Sequence, residues 1–301
     1  VNSIVLPPPS HGQEKEKIEK RWPAAVAFIK ERKLNEVFAG DLTDIGIAVQ
    51  GGMYNGVMRA LQRLGLADIW GKTRVPLYVM NVTYPLIDDE LAAFCASKRA
   101  VLIVEEGQPD FIEQAVNTIL RRRDINTRLY GKDVLPMAGE YTADVMLKGV
   151  RAFVTAAAPD ALADHDRAPN APAIADDPRV QALSGVVPAR PPGFCTGCPE
   201  RPIFAAMKLV EKELGPHHIA ADIGCHLFSI LPPFNIGAST MGYGLGPASA
   251  AAFNVPAGKK SISFIGDGGF WHNGLTSSIG NAVYNKHDGV IVVVDNYYAS
   301  A

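Results

Sequence analysis

Residues 290–294 read Val-Ile-Val-Val-Val, five consecutive apolar, β-branched side chains. A strand with one face in water alternates apolar and polar residues. An unbroken run predicts a strand buried on both faces, as in parallel sheets sandwiched between helices. Segments at 45–49, 77–82, 101–105, 219–223 and 261–265 are strand-like as well. The stretches between them have helical spacing. Val57, Leu61 and Leu64 recur at intervals of four and three, Ile87, Leu91, Phe94 and Cys95 fall on one face, and Ile112, Val116, Ile119 and Leu120 on another. Strands alternating with helices of this length predict an α/β chain whose parallel sheets carry helices on both faces, a three-layer arrangement.

A composition shift divides the chain. Residues 1–35 read as a linker with the triplet Pro7-Pro8-Pro9, then a charged helix that Pro23 kinks or divides. Residues 36–154 form one α/β region. Residues 155–192, rich in Ala, Pro and Asp, read as a linker, and residues 193–301 form a second α/β region. Two domains suit 301 residues. Lys plus Arg number 29 against 31 Asp plus Glu, so the basic excess of a nucleic-acid binder is missing. No apolar run approaches the ~20 residues of a membrane span, and no secretory leader is seen, which makes the cytoplasm the expected location. The chain starts at Val1 and stops soon after a strand. It is expected to be a piece of something longer, incomplete at the C-terminal end of its second domain.

The sharpest motif is Gly266-Asp267-Gly268, at the end of the strand Ser261–Ile265. Asp295 and Asn296 end the next strand, and a helix lies between. Both polar clusters therefore fall at the carboxyl ends of neighbouring parallel strands, the edge where open α/β sheets bind ligands. A lone Asp-Gly pair is an ordinary turn former; the strand–helix–strand setting favours a site. Asp267 offers a carboxylate oxygen, Asn296 an amide oxygen and Tyr298 a backbone carbonyl, a donor set for Mg2+ holding a diphosphate. Gly266 and Gly268 allow close backbone approach. Asp295 competes with Asn296 for the metal, but hydrogen bonding to the next turn is the favoured use of a strand-end acid.

Cys195 and Cys198 stand two residues apart, and Cys225 follows in Ala-Asp-Ile-Gly-Cys-His. Thiolates at this spacing suit an iron–sulfur cluster or a zinc knuckle completed by His226 or by His217 or His218. A redox pair is a third option. Cys95, on an apolar helix face, reads as core. Glu105 and Glu106 read as a strand-end pair at an interface, in preference to an acid/base pair. His272 is either cofactor-facing or an ordinary helix-start residue.

The segment GDGGFWHNGLTSSIGNAVYNKHDGVIVVVDN resembles the thiamine-diphosphate signature, in which Gly-Asp-Gly is followed by a strand ending in Asn. With FCTGCPER and Cys225 before it, the chain resembles the 2-oxoacid:ferredoxin oxidoreductases. The segments VLIVEEGQPDFIEQAV and GKDVLPMAGEYTADVM resemble the transketolase-C-terminal-like domain of that family. Together they look most like the large (alpha) subunit of the indolepyruvate ferredoxin oxidoreductases, over most of residues 14–301. NIGASTMGYGLG resembles the cofactor-facing loop, with Ile236 where the family has Met, so Gly237 remains a candidate contact.

The resemblance implies a transketolase-C-terminal-like domain followed by a thiamine-diphosphate-binding domain. It also implies magnesium on Asp267, Asn296 and the Tyr298 carbonyl, and a [4Fe–4S] cluster on Cys195, Cys198 and Cys225, with a fourth cysteine beyond Ala301. The implied activity is oxidative decarboxylation of aromatic 2-oxo acids to acyl-coenzyme A. Electrons would pass to ferredoxin, with a small (beta) subunit or fused equivalent as partner. The glutamate that activates the cofactor is expected before Val1, so the 301 residues alone are expected to be inactive. The rival readings are a non-oxidative thiamine-diphosphate decarboxylase or carboligase, and a non-catalytic zinc-stapled interaction module.

Overall fold

The computed structural model describes residues 6–162, 178–184, 186–187, 192–253 and 260–297. Two compact units divide the chain, residues 1–182 and 183–301. The structure is α/β with mostly parallel sheets, as the apolar runs predict.

The first unit opens with α1 (Pro9–Glu16), a π-helical turn (Lys17–Arg21) and α2 (Trp22–Glu31). The proline triplet is thus not all linker: Pro9 begins a helix, where its missing N–H costs nothing. Pro23 likewise takes the first turn of α2, directly after the π turn. The sheet comprises β1 (Glu36–Phe38), β2 (Ile45–Gln50), β3 (Leu77–Met80), β4 (Ala100–Val104) and β5 (Arg128–Tyr130), in the order β1-β3-β2-β4-β5. Strands β2 to β5 pair in parallel, whereas β1 joins the edge antiparallel to β3. One strand is therefore an exception to the expected parallel sheet.

Successive residues of the central strands point to opposite faces, and both faces are apolar. Ile45, Ile47, Val49, Leu77, Val79, Leu102 and Val104 meet α3 (Tyr54–Arg63) and α6 (Ala143–Ala157) through Val57, Leu61, Val150 and Phe153. Ala48, Tyr78, Met80, Val101 and Ile103 meet α4 (Asp88–Ala96) and α5 (Phe111–Arg122) through Leu91, Phe94, Val116 and Leu120. Thr142 caps α6 by accepting from the Val145 N–H. Glu105 and Glu106 are committed to backbone. Both Glu105 oxygens accept from the Ile112 N–H at the start of α5, and Glu106 accepts from the Tyr141 N–H.

The division between the units falls within α7 (Pro178–Ser184), and the second unit continues with α8 (Arg201–Leu214), β6 (Ile219–Ala221), β7 (Ser239–Thr240), α9 (Gly246–Ala250), β8 (Ile262–Gly266) and β9 (Val290–Val294). The sheet order is β7-β6-β8-β9, every pair parallel. From Asp267 to Tyr284 the chain is helical, with a π-helical stretch at Phe270–Ile279. Helix α9 runs into a 3-10 turn at Ala251–Phe253. A small core gathers Phe204, Ile219, Ile236, Phe264 and Val294. The expectation that the 290–294 run is covered on both faces is not met. β9 is the edge of the described sheet, and Val290 and Val293 are 49% and 42% exposed.

Cys95 is fully buried among Leu91, Phe94 and Val101, and burial pushes its thiol up to about 11. A thiol whose folded pKa is raised stabilises the fold below its unfolded value and loses that contribution as pH rises. The first unit should therefore lose stability between about pH 9 and pH 11, and Cys95→Ala or Cys95→Ser should remove that loss. Alkylation at pH 8 should leave Cys95 unmodified until denaturant is added, as mass spectrometry would show.

Candidate functional site: the carboxyl edge of the second sheet

Parallel pairing places Gly266 opposite Val294 at the ends of β8 and β9. Asp267 follows at once and Asn296 comes two residues after β9, so both emerge at the same edge, as their sequence positions predict. A third side chain joins them. Glu200, the residue before α8, is 3% exposed and accepts the Asn296 side-chain N–H at 3.0 Å through Oε1. Burial raises the Glu200 pKa, the Asp267 charge raises it further, and His226 and the Asn296 bond oppose the rise.

Beneath them lies a carboxylate that the motif reading passed over. Asp222 is completely buried just past β6, with Oδ1 2.5 Å from His226 Nε2. Oδ2 accepts the Gly244 N–H at 2.8 Å and Oδ1 the Gly266 N–H at 3.4 Å. One side chain thus joins the ends of β6 and β8 to the loop after β7. His226 lies against Gly266 as well, so the Gly-Asp-Gly turn rests on the Asp222–His226 pair. The signal for Asp222 was present: an acid at a strand end, on the edge where Asp267 and Asn296 were sought.

The glycines take their places from this packing. A side chain at Gly269 would drive its Cβ into Asp222 Oδ2. Gly244 has φ +80° and its Cβ would meet the Gly269 carbonyl, Asn273 Oδ1 and the Gly274 N–H, so the loop comes close only as glycine. Gly268 donates its N–H to Asp267 Oδ1 at 2.8 Å, tightening the turn. Asp295 is exposed and accepts the Tyr297 N–H at 3.1 Å, a local turn contact. His272 is exposed and its ring lies 5.3 Å from that of Tyr243 in the loop that Asp222 holds. Tyr298 lies outside the described residues.

Gly237 is not brought to this edge. It precedes β7, at the end of the strand opposite to the Met241–Gly244 loop, and packs on Ile230. Ile236 is fully buried in the Phe204–Phe264 core, so its side chain faces away from the cluster. The glycine that this loop brings to the carboxyl edge is Gly244, whose N–H is held by Asp222.

Cys195 and Cys198 sit in a turn closed by the Cys198 N–H on the Cys195 carbonyl at 3.2 Å, with Gly197 at φ +74°. Phe194 anchors that turn by stacking on Phe204, centroids 5.4 Å apart. Cys225 starts a 3-10 turn beside His226. Among the described residues no group of three or more His, Cys, Asp or Glu side chains is arranged to hold a metal ion. Two of the three histidines considered for zinc have other contacts: His226 is on Asp222, and His218 stacks on Phe253 at 3.6 Å, its pKa lowered by burial. His217 Nδ1 is buried with no hydrogen-bond partner among the described residues.

Asp267 and Asn296 together offer hard oxygen donors at a ligand-binding edge, which fits a magnesium-held diphosphate. The cysteines, as arranged, do not yet form a cluster site.

Comparisons with known proteins agree with the sequence resemblance. Residues 222–301 match the family model of the thiamine pyrophosphate enzymes' C-terminal TPP-binding domain. Indolepyruvate oxidoreductase subunit IorA of Methanothermobacter marburgensis is 29% identical over 93% of this chain and 41% of its own length. The IorA subunits of Methanothermobacter thermautotrophicus and Thermococcus kodakarensis are 30% and 32% identical, over 88% and 84% of this chain and 40% and 38% of their own lengths. The chain thus spans about two fifths of these relatives. A solved 2-oxoglutarate:ferredoxin oxidoreductase from Magnetococcus marinus is 20% identical over 50% of this chain and 24% of its own, with a TM-score of 0.33, too slight a likeness to carry an argument. No helix among the described residues is long and apolar enough to cross a membrane.

Replacing Asp222 by Ala would leave His226 and two backbone N–H groups without their acceptor. Breaking a buried pair of this kind costs about 3–5 kcal/mol, and chemical denaturation of Asp222→Ala should show a loss of that order. Gly269→Ala should lower the melting temperature as well, because its methyl group displaces the same carboxylate.

Proposed function

We propose that this chain supplies the diphosphate-anchoring part of a thiamine-diphosphate-dependent 2-oxoacid:ferredoxin oxidoreductase, of the type that acts on aromatic 2-oxo acids such as indolepyruvate. The observation that carries this reading is the convergence of Asp267 and Asn296 on one edge of two adjacent parallel strands, with Glu200 bonded to the one and sensing the charge of the other. The match of residues 222–301 to a TPP-binding domain and the similarity to IorA subunits support it.

In this reading Asp267 and Asn296 ligate magnesium, with the Tyr298 carbonyl as a third donor, and the metal holds the diphosphate. Thiamine diphosphate, when bound, supplies the carbanion chemistry that decarboxylation of a 2-oxo acid requires. The chain's own residues do the positioning. Asp222 fixes the loops at Gly244 and Gly266, so the donors meet the metal without reorganising. Gly266 and Gly268 bring backbone close to the phosphates, and His272 with Tyr243 borders the edge.

The wider assignment covers acyl transfer to coenzyme A, electron transfer to ferredoxin, a small subunit or its fused equivalent, and a cytoplasmic location. It rests on the resemblance and the relatives' name. A cluster on Cys195, Cys198 and Cys225 would need these residues drawn together.

The test is calorimetry on the full-length protein that carries this chain. Thiamine diphosphate should bind only with magnesium present, and Asp267→Ala should weaken that binding at least about 100-fold, the upper range for loss of a metal-site group. Metal-independent binding, or an unchanged Asp267→Ala variant, would refute the anchoring role. Iron with acid-labile sulfide in the same sample supports the oxidoreductase. Zinc or no metal favours the non-oxidative decarboxylase or carboligase, and zinc without cofactor binding the interaction module. The 301 residues alone should show no arylpyruvate-dependent dye reduction.

A further inference from the structure

Glu200 belongs to the strand-edge network, yet the proposed chemistry gives it no part. Its burial is unfavourable: a carboxyl group taken out of water costs several kcal/mol unless both oxygens find partners. Oε1 is engaged by the Asn296 amide at 3.0 Å. Oε2 is buried and has no hydrogen-bond partner among the described residues. A purely structural role would be served as well by a smaller or apolar side chain at this position. Among the described residues, the hydrogen bond this carboxyl makes is to the amide of Asn296.

That contact matters because a primary amide has two nearly identical ends. Rotation about its last bond exchanges the oxygen and the NH2 group without changing shape. A hard cation accepts only the oxygen. Nothing within Asn296 selects the orientation. An acceptor oxygen on one side does, by taking the N–H and turning the carbonyl to the other side.

We infer that Glu200 is a positioning residue that, by taking the Asn296 N–H, turns the carbonyl end of that amide away from itself and toward a divalent cation shared with Asp267. This rests on the proposed diphosphate anchor. The bond joins positions 96 residues apart, so it also ties the turn that bears Cys195 and Cys198 to the end of β9.

The experiment compares Glu200→Ala, Glu200→Gln and Asp267→Ala in the full-length protein. Calorimetry reads the magnesium concentration that half-saturates thiamine diphosphate binding, and the melting temperature is taken without ligand. Glu200→Ala should raise the magnesium requirement about tenfold, the lower range for removal of a partner that orients a metal ligand. Glu200→Gln keeps an acceptor oxygen but can also turn its own amide to donate, so its magnesium requirement should fall between those of the parent and Glu200→Ala. Three outcomes overturn the inference: an unchanged magnesium requirement in Glu200→Ala; a loss in Glu200→Gln as large as in Glu200→Ala, which would make the carboxylate itself a ligand; and a ligand-free melting temperature that falls in Glu200→Ala and accounts for the weaker binding. If Asp267→Ala loses binding while Glu200→Ala does not, only the positioning role fails. If Asp267→Ala binds like the parent, the anchor fails with it.

Discussion

The second unit depends on the hydrogen bonds of one buried carboxylate. Asp222 has no exposed surface, and its oxygens face His226 and the backbone N–H groups of Gly244 and Gly266. A buried charge or dipole of this kind persists only where its surroundings satisfy it. The loops that satisfy Asp222 are therefore held where it requires them. They follow three strands at the carboxyl edge of the sheet, so the same bonds that stabilise the unit also shape the ground on which Asp267 and Asn296 stand.

Satisfaction at the base contrasts with incompleteness above it. Glu200 keeps one oxygen without a hydrogen-bond partner among the described residues, and its neighbours pull its ionisation in opposite directions. Functional edges commonly concentrate such unfinished polar groups, because a ligand completes them. In the first unit the corresponding carboxylates are finished. At the end of β4, Glu105 spends both oxygens on backbone N–H groups at the start of α5, and Glu106 spends one on the Tyr141 N–H. Acids at the ends of parallel strands thus serve opposite purposes in the two units, according to whether nearby backbone donors use them up.

Much of the architecture was legible from side-chain pattern. The central strands of the first unit bury alternate residues in two separate cores, which is why their sequences are apolar throughout. The Gly-Asp-Gly turn and Asn296 were legible because strand ends can be located from the runs before them. Three readings needed correction. The Pro9 region is helical, β1 runs antiparallel, and β9 is an exposed edge. In each the local composition was compatible with two outcomes, and neighbours from elsewhere in the chain decided between them.

By itself the sequence determined the alternation of strands and helices, and hence which residues stand at the carboxyl ends of the strands. That information is local, because burial on two faces and helical spacing are written within a dozen residues. The tertiary structure alone decided that Glu200 would meet Asn296, that Asp222 would bind Gly244, and that Gly237 would lie at the other end of β7. Hydrogen bonds between distant segments leave no periodic trace in composition, and a carboxyl group's cost of burial is set by whatever packs around it.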